Sequence, residues 1–271
     1  MEIRRYASRE SVIMTKHAIL IDLTQCVGCH FCEAACQANK GLPADTQLVT
    51  LRFNEFTGED DAFSQEMGRK QCMHCVKPAC ASACTVGALR KTADGPVVYD
   101  AAKCIGCRYC MYACPFQVPA FQWDRPMGLI NKCDMCADRL AAGEQPACAA
   151  ACPTGAILFG ERDALLEEAR QRIIKAPDRY VHYIYGEREA GGTSVLYLSD
   201  TPFAELGFPE VGYESLAHAN EEVMHATPTV AAGMMLALTG VYWTVKRRNE
   251  LMHRHPIDFE VEEAEHVAKN R

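Results

Sequence analysis

An α+β fold that ends in a single membrane-spanning helix is predicted from three features of this 271-residue chain. Sixteen cysteines fall into four groups of four, with none left over. Short β-rich runs and short helical stretches alternate around those groups. Residues 227–245 carry no charged side chain and are long enough to cross a bilayer as a helix.

The groups are Cys26, Cys29, Cys32 and Cys36; Cys72, Cys75, Cys80 and Cys84; Cys104, Cys107, Cys110 and Cys114; and Cys133, Cys136, Cys148 and Cys152. Groups one and three are uninterrupted C-x2-C-x2-C-x3-C runs. In bacterial ferredoxins that run gives three thiolates to one cluster and the fourth to another. Four groups therefore predict four [4Fe–4S] clusters, sixteen cysteine ligands and a chain that conducts electrons. Pro115 and Pro153 follow the last cysteine of groups three and four, as in the ferredoxin run. Group two lengthens one gap, between Cys75 and Cys80, and group four opens a longer one between Cys136 and Cys148. Insertions of this kind change what shields a cluster and leave its ligands in place.

Other uses of the cysteines fit less well. Disulfide frameworks belong to small secreted domains with a thin core. Zinc uses paired C-x2-C half-sites and has no need of the third and fourth cysteines at these offsets. The C-x3-C-x2-C run of radical enzymes acting on S-adenosylmethionine is absent: Asn39, Gly87, Gln117 and Gly155 stand where its last cysteine belongs.

Two internal similarities point to a duplication. CVGCHFCEAAC matches CIGCRYCMYAC, and CTVGAL (84–89) matches CPTGAI (152–157). The fold class is thus α+β, with two ferredoxin-like units, each holding two clusters, and one C-terminal transmembrane helix.

Along the chain, residues 1–17 read as a surface arm. Ala18–Leu23 is an apolar run and predicts a strand. A short helix follows Cys29 and ends near Gly41. Leu48–Phe53 alternates and predicts a strand, whereas the acidic stretch 56–68 reads as a loop. Val97–Tyr99 and Ala156–Phe159 are counterpart strands. Asp163–Ala176 predicts a helix with Leu165, Leu166, Ala169 and Ile173 on one face. Tyr180–Tyr185 and Val195–Leu198 read as strands. Residues 200–222 form a connector, and the charged tail 246–271 is predicted to be mobile.

Net charge is −7, and no basic stripe suggests nucleic acid as a partner. Lys103, Arg108, Lys132 and Arg139 lie near cysteines and are candidates for tuning cluster potentials by charge. His74, between Cys72 and Cys75, could donate a hydrogen bond to a cluster sulfur. His225 stands just before the uncharged run. No residue pattern suggests a catalytic acid, base or nucleophile.

The uncharged run would span about 28 Å as a helix. Pro228 is expected in its first turn, Tyr242 and Trp243 near one end, and Thr229, Gly233 and Ala237 along a small-residue face. Glu221 and Glu222 precede it; Lys246, Arg247, Arg248 and Arg254 follow. The positive-inside rule then puts the C-terminus in the cytoplasm and the cluster region in the periplasm, across the inner membrane. Arg4-Arg5 is not followed by an apolar run, so no signal peptide is expected, and export as cargo on a partner follows.

The four motifs resemble the iron–sulfur subunits of the dimethyl sulfoxide reductase group of molybdoenzymes, and most nearly the β subunit of respiratory formate dehydrogenase. QCMHCVKPAC (71–80), CIGCRYCMYACPF (104–116), CDMCADRLAAGEQPACAAACPTGAILFG (133–160) and IYGEREAGGTSVLYLSD (184–200) carry the resemblance. The accessory iron–sulfur subunit of membrane-bound uptake nickel–iron hydrogenase looks similar. The resemblance implies which groups pair. Cys26, Cys29, Cys32 and Cys152 would hold one cluster, and Cys133, Cys136, Cys148 and Cys36 a second, in a unit of residues 1–45 and 125–200. Cys72, Cys75, Cys80 and Cys114 would hold a third, and Cys104, Cys107, Cys110 and Cys84 a fourth, in a unit of residues 46–124. A connector (201–226), the membrane helix (227–245) and a cytoplasmic tail (246–271) would complete the chain. The implied partners are a molybdenum or tungsten formate dehydrogenase catalytic subunit, or a nickel–iron hydrogenase, together with a membrane cytochrome b that reduces quinone. A subunit of a quinol-dependent reductase would run the current in the opposite direction.

Overall fold

The structure, a computed structural model, describes residues 16–57, 63–123 and 128–254. In chain order the elements are β1 (His17–Asp22), α1 (Phe31–Lys40), β2 (Thr50–Thr57), β3 (Phe63–Lys70), α2 (Ala79–Ser82), β4 (Leu89–Lys91), β5 (Val97–Tyr99), α3 (Tyr109–Ala113), β6 (Ala120–Phe121), β7 (Ile130–Asn131), α4 (Ala137–Ala141), α5 (Ala147–Ala150), β8 (Ile157–Glu161), α6 (Arg162–Lys175), β9 (Val195–Leu198) and α7 (Leu216–Arg254). The class is α+β, as the sequence predicts. The chain divides into two compact units, Met1–Asn220 and Glu221–Arg271.

In the first unit, β1 is the middle strand of a three-stranded sheet ordered β8-β1-β9. It runs antiparallel to β8, with Ile21 opposite Ile157, and parallel to β9, with Ile21 opposite Tyr197. Its sequence, HAILID, is apolar on both faces because both faces are covered. Side chains alternate along a strand. Ala18 and Leu20 therefore join Leu196 and Leu198 against Leu165, Leu166 and Ala169 of α6. Ile19 and Ile21 join Val195 and Tyr197 on the other face, against Cys32, Met135 and Cys148. Each buried Leu or Ile contributes roughly 2 kcal/mol, so this sheet is a stiff floor under the cysteines.

Three two-stranded ribbons complete the first unit: β2–β3, β4–β5 and β6–β7. The β2–β3 pairing runs from Thr50 opposite Lys70 to Thr57 opposite Phe63. Residues 56–57 and 63–68 are thus ribbon and not the predicted loop, and 58–62 lie outside the described residues. The polar sequence of β3 hides the strand, because the pairing is set by backbone partners across the ribbon. Tyr180–Tyr185 also departs from expectation. It runs beside β9 through Val181 N to Ser199 O (2.8 Å) and a bridge between Tyr185 and Tyr197, but a tight turn at Tyr183 N to Val181 O (2.6 Å) stops it from becoming a strand.

Helix α1 ends where predicted, because Gly41 takes the left-handed conformation (φ 58°) that closes a helix cheaply only at glycine. Helix α7 begins at Leu216, well before residue 227. Ser215 Oγ accepts the Ala217 amide (3.3 Å) and donates to the Lys77 carbonyl (3.0 Å), so the chain is capped there. Pro228 therefore lies inside the helix and not in its first turn, and residues 246–254 of the expected tail are helical. Residues 1–15 and 255–271, read as arm and tail, lie outside the described residues.

Within α7, His225–His253 is long and apolar enough to cross a membrane, with mean hydropathy 1.3. Met234, Leu236, Leu238, Tyr242 and Trp243 are all exposed. Thr239 and Thr244 donate their hydroxyls to the Met235 and Val241 carbonyls, both at 2.8 Å, so they place no unpaired polar group on an apolar helix.

Candidate iron–sulfur centres

The two regular motifs fold the same way. Asp22 accepts the Thr24 amide (3.1 Å) and caps a one-turn 3-10 helix, Leu23–Gln25; Asp100 accepts the Ala102 amide (3.1 Å) and caps another, Ala101–Lys103. An extended cysteine follows each, Cys26 and Cys104. Left-handed Gly28 and Gly106, then left-handed His30 and Arg108, turn the chain tightly around the next two cysteines. The third cysteine then opens onto α1 or α3. The other halves match too. Pro78 and Pro146 start the short helices α2 and α5, which carry Cys80 and Cys148. Gly87 (φ 63°) and Gly155 (φ 68°) turn the chain after Cys84 and Cys152. The duplication is therefore geometric as well as textual.

Helix α1 packs against α5, and α2 against α3. Motif one thus meets motif four, and motif two meets motif three. Lys40 of α1 pairs with Asp134 at 2.7 Å, and Asn39 Nδ2 donates to Cys136 Sγ at 3.7 Å. Cys26, Cys29, Cys32 and Cys152 line one cavity with Ile21, Leu23, Leu51 and Ile157. Burial, then Cys148 and Cys136, pushes the Cys36 thiol up to about 12. Burial raises the Cys133 thiol, with Cys72, Cys148 and Cys36 adding to the effect. Burial raises Cys75 well above the usual thiol, with Cys72, Cys80 and Cys114 adding to the effect. Burial pushes Cys110 up to about 11, with Cys104, Cys107 and Cys84 around it. All sixteen cysteines are unbridged, so no disulfide competes for them.

These residues fit [4Fe–4S] ligation. Backbone amides aim at sulfur: Ala88 at Cys84 (3.2 Å), Gly106 at Cys104 (3.4 Å) and Met135 at Cys133 (3.3 Å). Burial opposes ionisation of Cys152, yet Thr154 and the amides of Ile157 and Ala156 bring it below the usual thiol. Donors that stabilise a thiolate also stabilise a ligating sulfur. Among the described residues, no three His, Cys, Asp or Glu side chains converge on one ion. A zinc site needs four ligands within about 2.3 Å of a single metal, whereas cubane ligands bind separate irons.

Of the cations singled out from sequence, only Lys132 is buried, and its Nζ donates to the carbonyls of Val97 and Cys133. Lys103 is an exposed partner of Asp100 (3.4 Å). Arg139 pairs with Glu144 (3.0 Å), and Arg108 stacks over Trp123. His74 is buried; its Nδ1 accepts the Val97 amide (2.9 Å), which leaves the proton on Nε2. Burial first, then Lys132 and Lys91, hold its pKa well below the usual histidine, so it is neutral. Sequence reasoning missed two cations, half-buried Lys91 and buried Arg69. Lys91 donates to the His74 carbonyl (2.8 Å) and Ser194 (3.2 Å), and burial pushes it down to about 7 against the pull of Cys75 and Cys72. Arg69 lies at the end of β3, beyond the stretch read as a loop, where nothing in the local sequence signals a buried charge.

An α+β scaffold that brings together four tetracysteine groups defines an electron-transfer iron–sulfur protein. Comparison with known proteins agrees. Residues 64–162 match the 4Fe-4S dicluster domain. A protein of Nitratidesulfovibrio vulgaris is 40% identical over 256 residues, covering 87% of this chain and 68% of the relative. Hydrogenase-2 operon protein HybA of Escherichia coli O157:H7 is 35% identical over 284 residues, covering 87% and 85%. The nitrate-inducible formate dehydrogenase iron–sulfur subunit of Escherichia coli K12 is 35% identical over 215 residues, covering 71% and 72%. The chain belongs to the 4Fe–4S dicluster family of electron-transfer iron–sulfur subunits of formate dehydrogenase- and hydrogenase-type complexes.

Proposed function

We propose that this chain links an exported catalytic subunit, with formate as its reductant, to a membrane cytochrome b that reduces quinone. The observation that carries the reading is the unbroken series of neighbouring thiols. Cys32, Cys75 and Cys148 share one buried cluster with Cys114 and Cys152 packed against it, and Cys80 and Cys110 share the next with Cys84 and Cys104 packed against it. The proposed ligand sets follow in that order: Cys26, Cys29, Cys32 and Cys152; Cys133, Cys136, Cys148 and Cys36; Cys72, Cys75, Cys80 and Cys114; Cys104, Cys107, Cys110 and Cys84. The proposed units are residues 1–45 with 125–200, and 46–124. When bound, each [4Fe–4S] cluster supplies a one-electron carrier.

The chain's own residues position and insulate those carriers. The β1 floor and the apolar walls exclude water from the inner sets. Amides and Thr154 donate to the ligand sulfurs. Cys29 and Cys107, both exposed, bring the outermost sets to the surface. The exposed apolar stretch of α7 is proposed to anchor the chain in the inner membrane, with the basic residues after it in the cytoplasm.

A second reading has hydrogen as the reductant. It is favoured by the match to HybA, which covers 87% of this chain against 71% for the formate dehydrogenase subunit of Escherichia coli K12. The long gap between Cys136 and Cys148 favours formate. Anaerobic purification with metal analysis decides. The expected result is about sixteen irons per chain, with a catalytic partner carrying molybdenum or tungsten for formate and nickel for hydrogen. An iron-free, zinc-filled protein from anaerobic work overturns both readings.

A further inference from the structure

Arg69 is a charge buried without a carboxylate partner among the described residues. It is 5% exposed. Its Nη2 donates to the Gln71 side chain at 2.8 Å, Gln71 being buried as well. Its Nε has no hydrogen-bond partner among the described residues. Tyr197, from the sheet floor, donates its hydroxyl to the Arg69 carbonyl (3.4 Å). A guanidinium in such a place is costly unless anions surround it.

The groups around it are thiols from two different ligand sets. Its charge opposes the burial that raises the Cys26, Cys32 and Cys36 thiols, and Cys32 packs in one buried cluster with Cys148. It lines the cavity formed by Cys26, Cys29, Cys32 and Cys152. Cys26 and Cys32 belong to one proposed set, Cys36 and Cys148 to the next. Arg69 therefore stands at the seam between two sets, whereas Lys91 and Lys132 serve Cys72, Cys75 and Cys80.

We propose that Arg69 is the shared counter-charge of these two iron–sulfur sites, raising both reduction potentials and easing electron passage between them. The inference rests on the ligand sets given above. One-electron reduction of either site adds one negative charge, and no bond forms or breaks. The electron comes from the catalytic partner in the cell and from mediated dithionite in the test. A fixed cation stabilises the reduced form more than the oxidised form, and more so where water is excluded. As a positioning residue Arg69 binds no iron, so its role is read in potentials.

The experiment is an electron-paramagnetic-resonance-monitored redox titration of the intact complex carrying wild-type Arg69, Arg69→Gln or Arg69→Lys. In Arg69→Gln, two of the four sites are expected to become at least about tenfold harder to reduce, about 59 mV for one electron. The other two stay unchanged, and Arg69→Lys recovers most of the shift. Cys29→Ala in the wild-type background identifies the signal of the first set, which must be one of the two that move. Four unchanged potentials, or a shift in which that signal does not move, overturn the proposal while leaving the four-site reading intact. If Arg69→Gln loses iron, recovery of iron and potentials by Arg69→Lys supports the counter-charge. Failure of lysine to recover them assigns Arg69 to packing and overturns it. Fewer than four sites in the wild type overturns the ligand sets and this inference together.

Discussion

Arg172 donates from Nη1 to Asp22 Oδ2 at 2.8 Å, joining α6 to the end of β1. The same oxygen accepts the Tyr180 hydroxyl at 2.9 Å, while Asp22 Oδ1 caps the turn that delivers Cys26. One buried carboxylate thus ties the helix layer, the sheet and the first ligand loop. Asp22→Ala takes the acceptor from the Tyr180 phenol and from Arg172 Nη1, leaving that guanidinium its bond to Glu168 alone. It is expected to cost about 3 kcal/mol and to make the iron most labile in the first set. Anaerobic thermal melting, followed by the loss of visible absorbance, checks this; an unchanged midpoint refutes it.

The proposed crossed ligation predicts how single losses combine. Cys29→Ala and Cys152→Ala should each remove about four of about sixteen irons, and the double variant no more than either alone. Cys133→Ala with Cys152→Ala should remove about eight. Sequential ligation, with Cys152 beside Cys133, reverses the two outcomes. Iron assay and integrated spin counts distinguish them.

The cluster-free chain should weaken in alkali. Burial and neighbouring thiols push Cys36 and Cys80 up to about 12. Their folded-state pKa values lie above the unfolded ones, so the folded state holds protons that the unfolded state releases. The stability they contribute is complete below about pH 9 and is lost as pH rises toward about 12. Melting of reduced, chelator-stripped protein should fall between about pH 8 and about pH 11. A flat or rising melting temperature contradicts this. Iron binding displaces those protons, so loading itself improves with rising pH.

Gly186 admits no side chain. A Cβ there would stand 2.3 Å from the Val195 carbonyl oxygen, and the backbone is left-handed (φ 98°). Its amide also donates to buried Glu189 at 2.7 Å. Gly186→Ala is expected to cost about 3 kcal/mol, visible as a lowered melting temperature, whereas Gly143→Ala, with open space around its Cβ position, should cost about 1 kcal/mol from the positive φ alone. Equal effects would place the strain elsewhere.

The proposed membrane anchoring by α7 predicts sensitivity at its middle. Leu236→Arg should cost about 3 kcal/mol of insertion and shift the protein from the carbonate-resistant membrane fraction toward the soluble one. Glu205→Arg, on the other compact unit, should leave partition unchanged. Retention of the Leu236→Arg protein in the membrane would point to partner contacts as the anchor.

Much of this molecule was legible because cysteine spacing and strand alternation are local signals. β1, α1, β5, α6 and β9 fell within a residue or two of expectation, and Gly41 marks a helix end in any context. The misses have nonlocal causes. β3 is polar in sequence and is a strand through its ribbon partner. Tyr180–Tyr185 has the composition of a strand but follows β9 only by scattered bonds. Asp22 and Asp100 occupy matching places before their motifs, a repeat visible in sequence and overlooked. Arg69 could not have been singled out, since its meaning comes from cysteines far along the chain.

The position of β1 also sets an order for making the molecule. β1 is the middle strand, yet β8 and β9, its neighbours on either side, emerge from the ribosome last among the strands. At about 5–20 residues per second, β1 and the thiols beside it wait roughly ten to thirty-five seconds for their partners. Groups two and three, closer in sequence, can close first. With the proposed pairing, iron delivery to the first and fourth groups is thus a late event in biogenesis, and the apolar β1 stays uncovered until then.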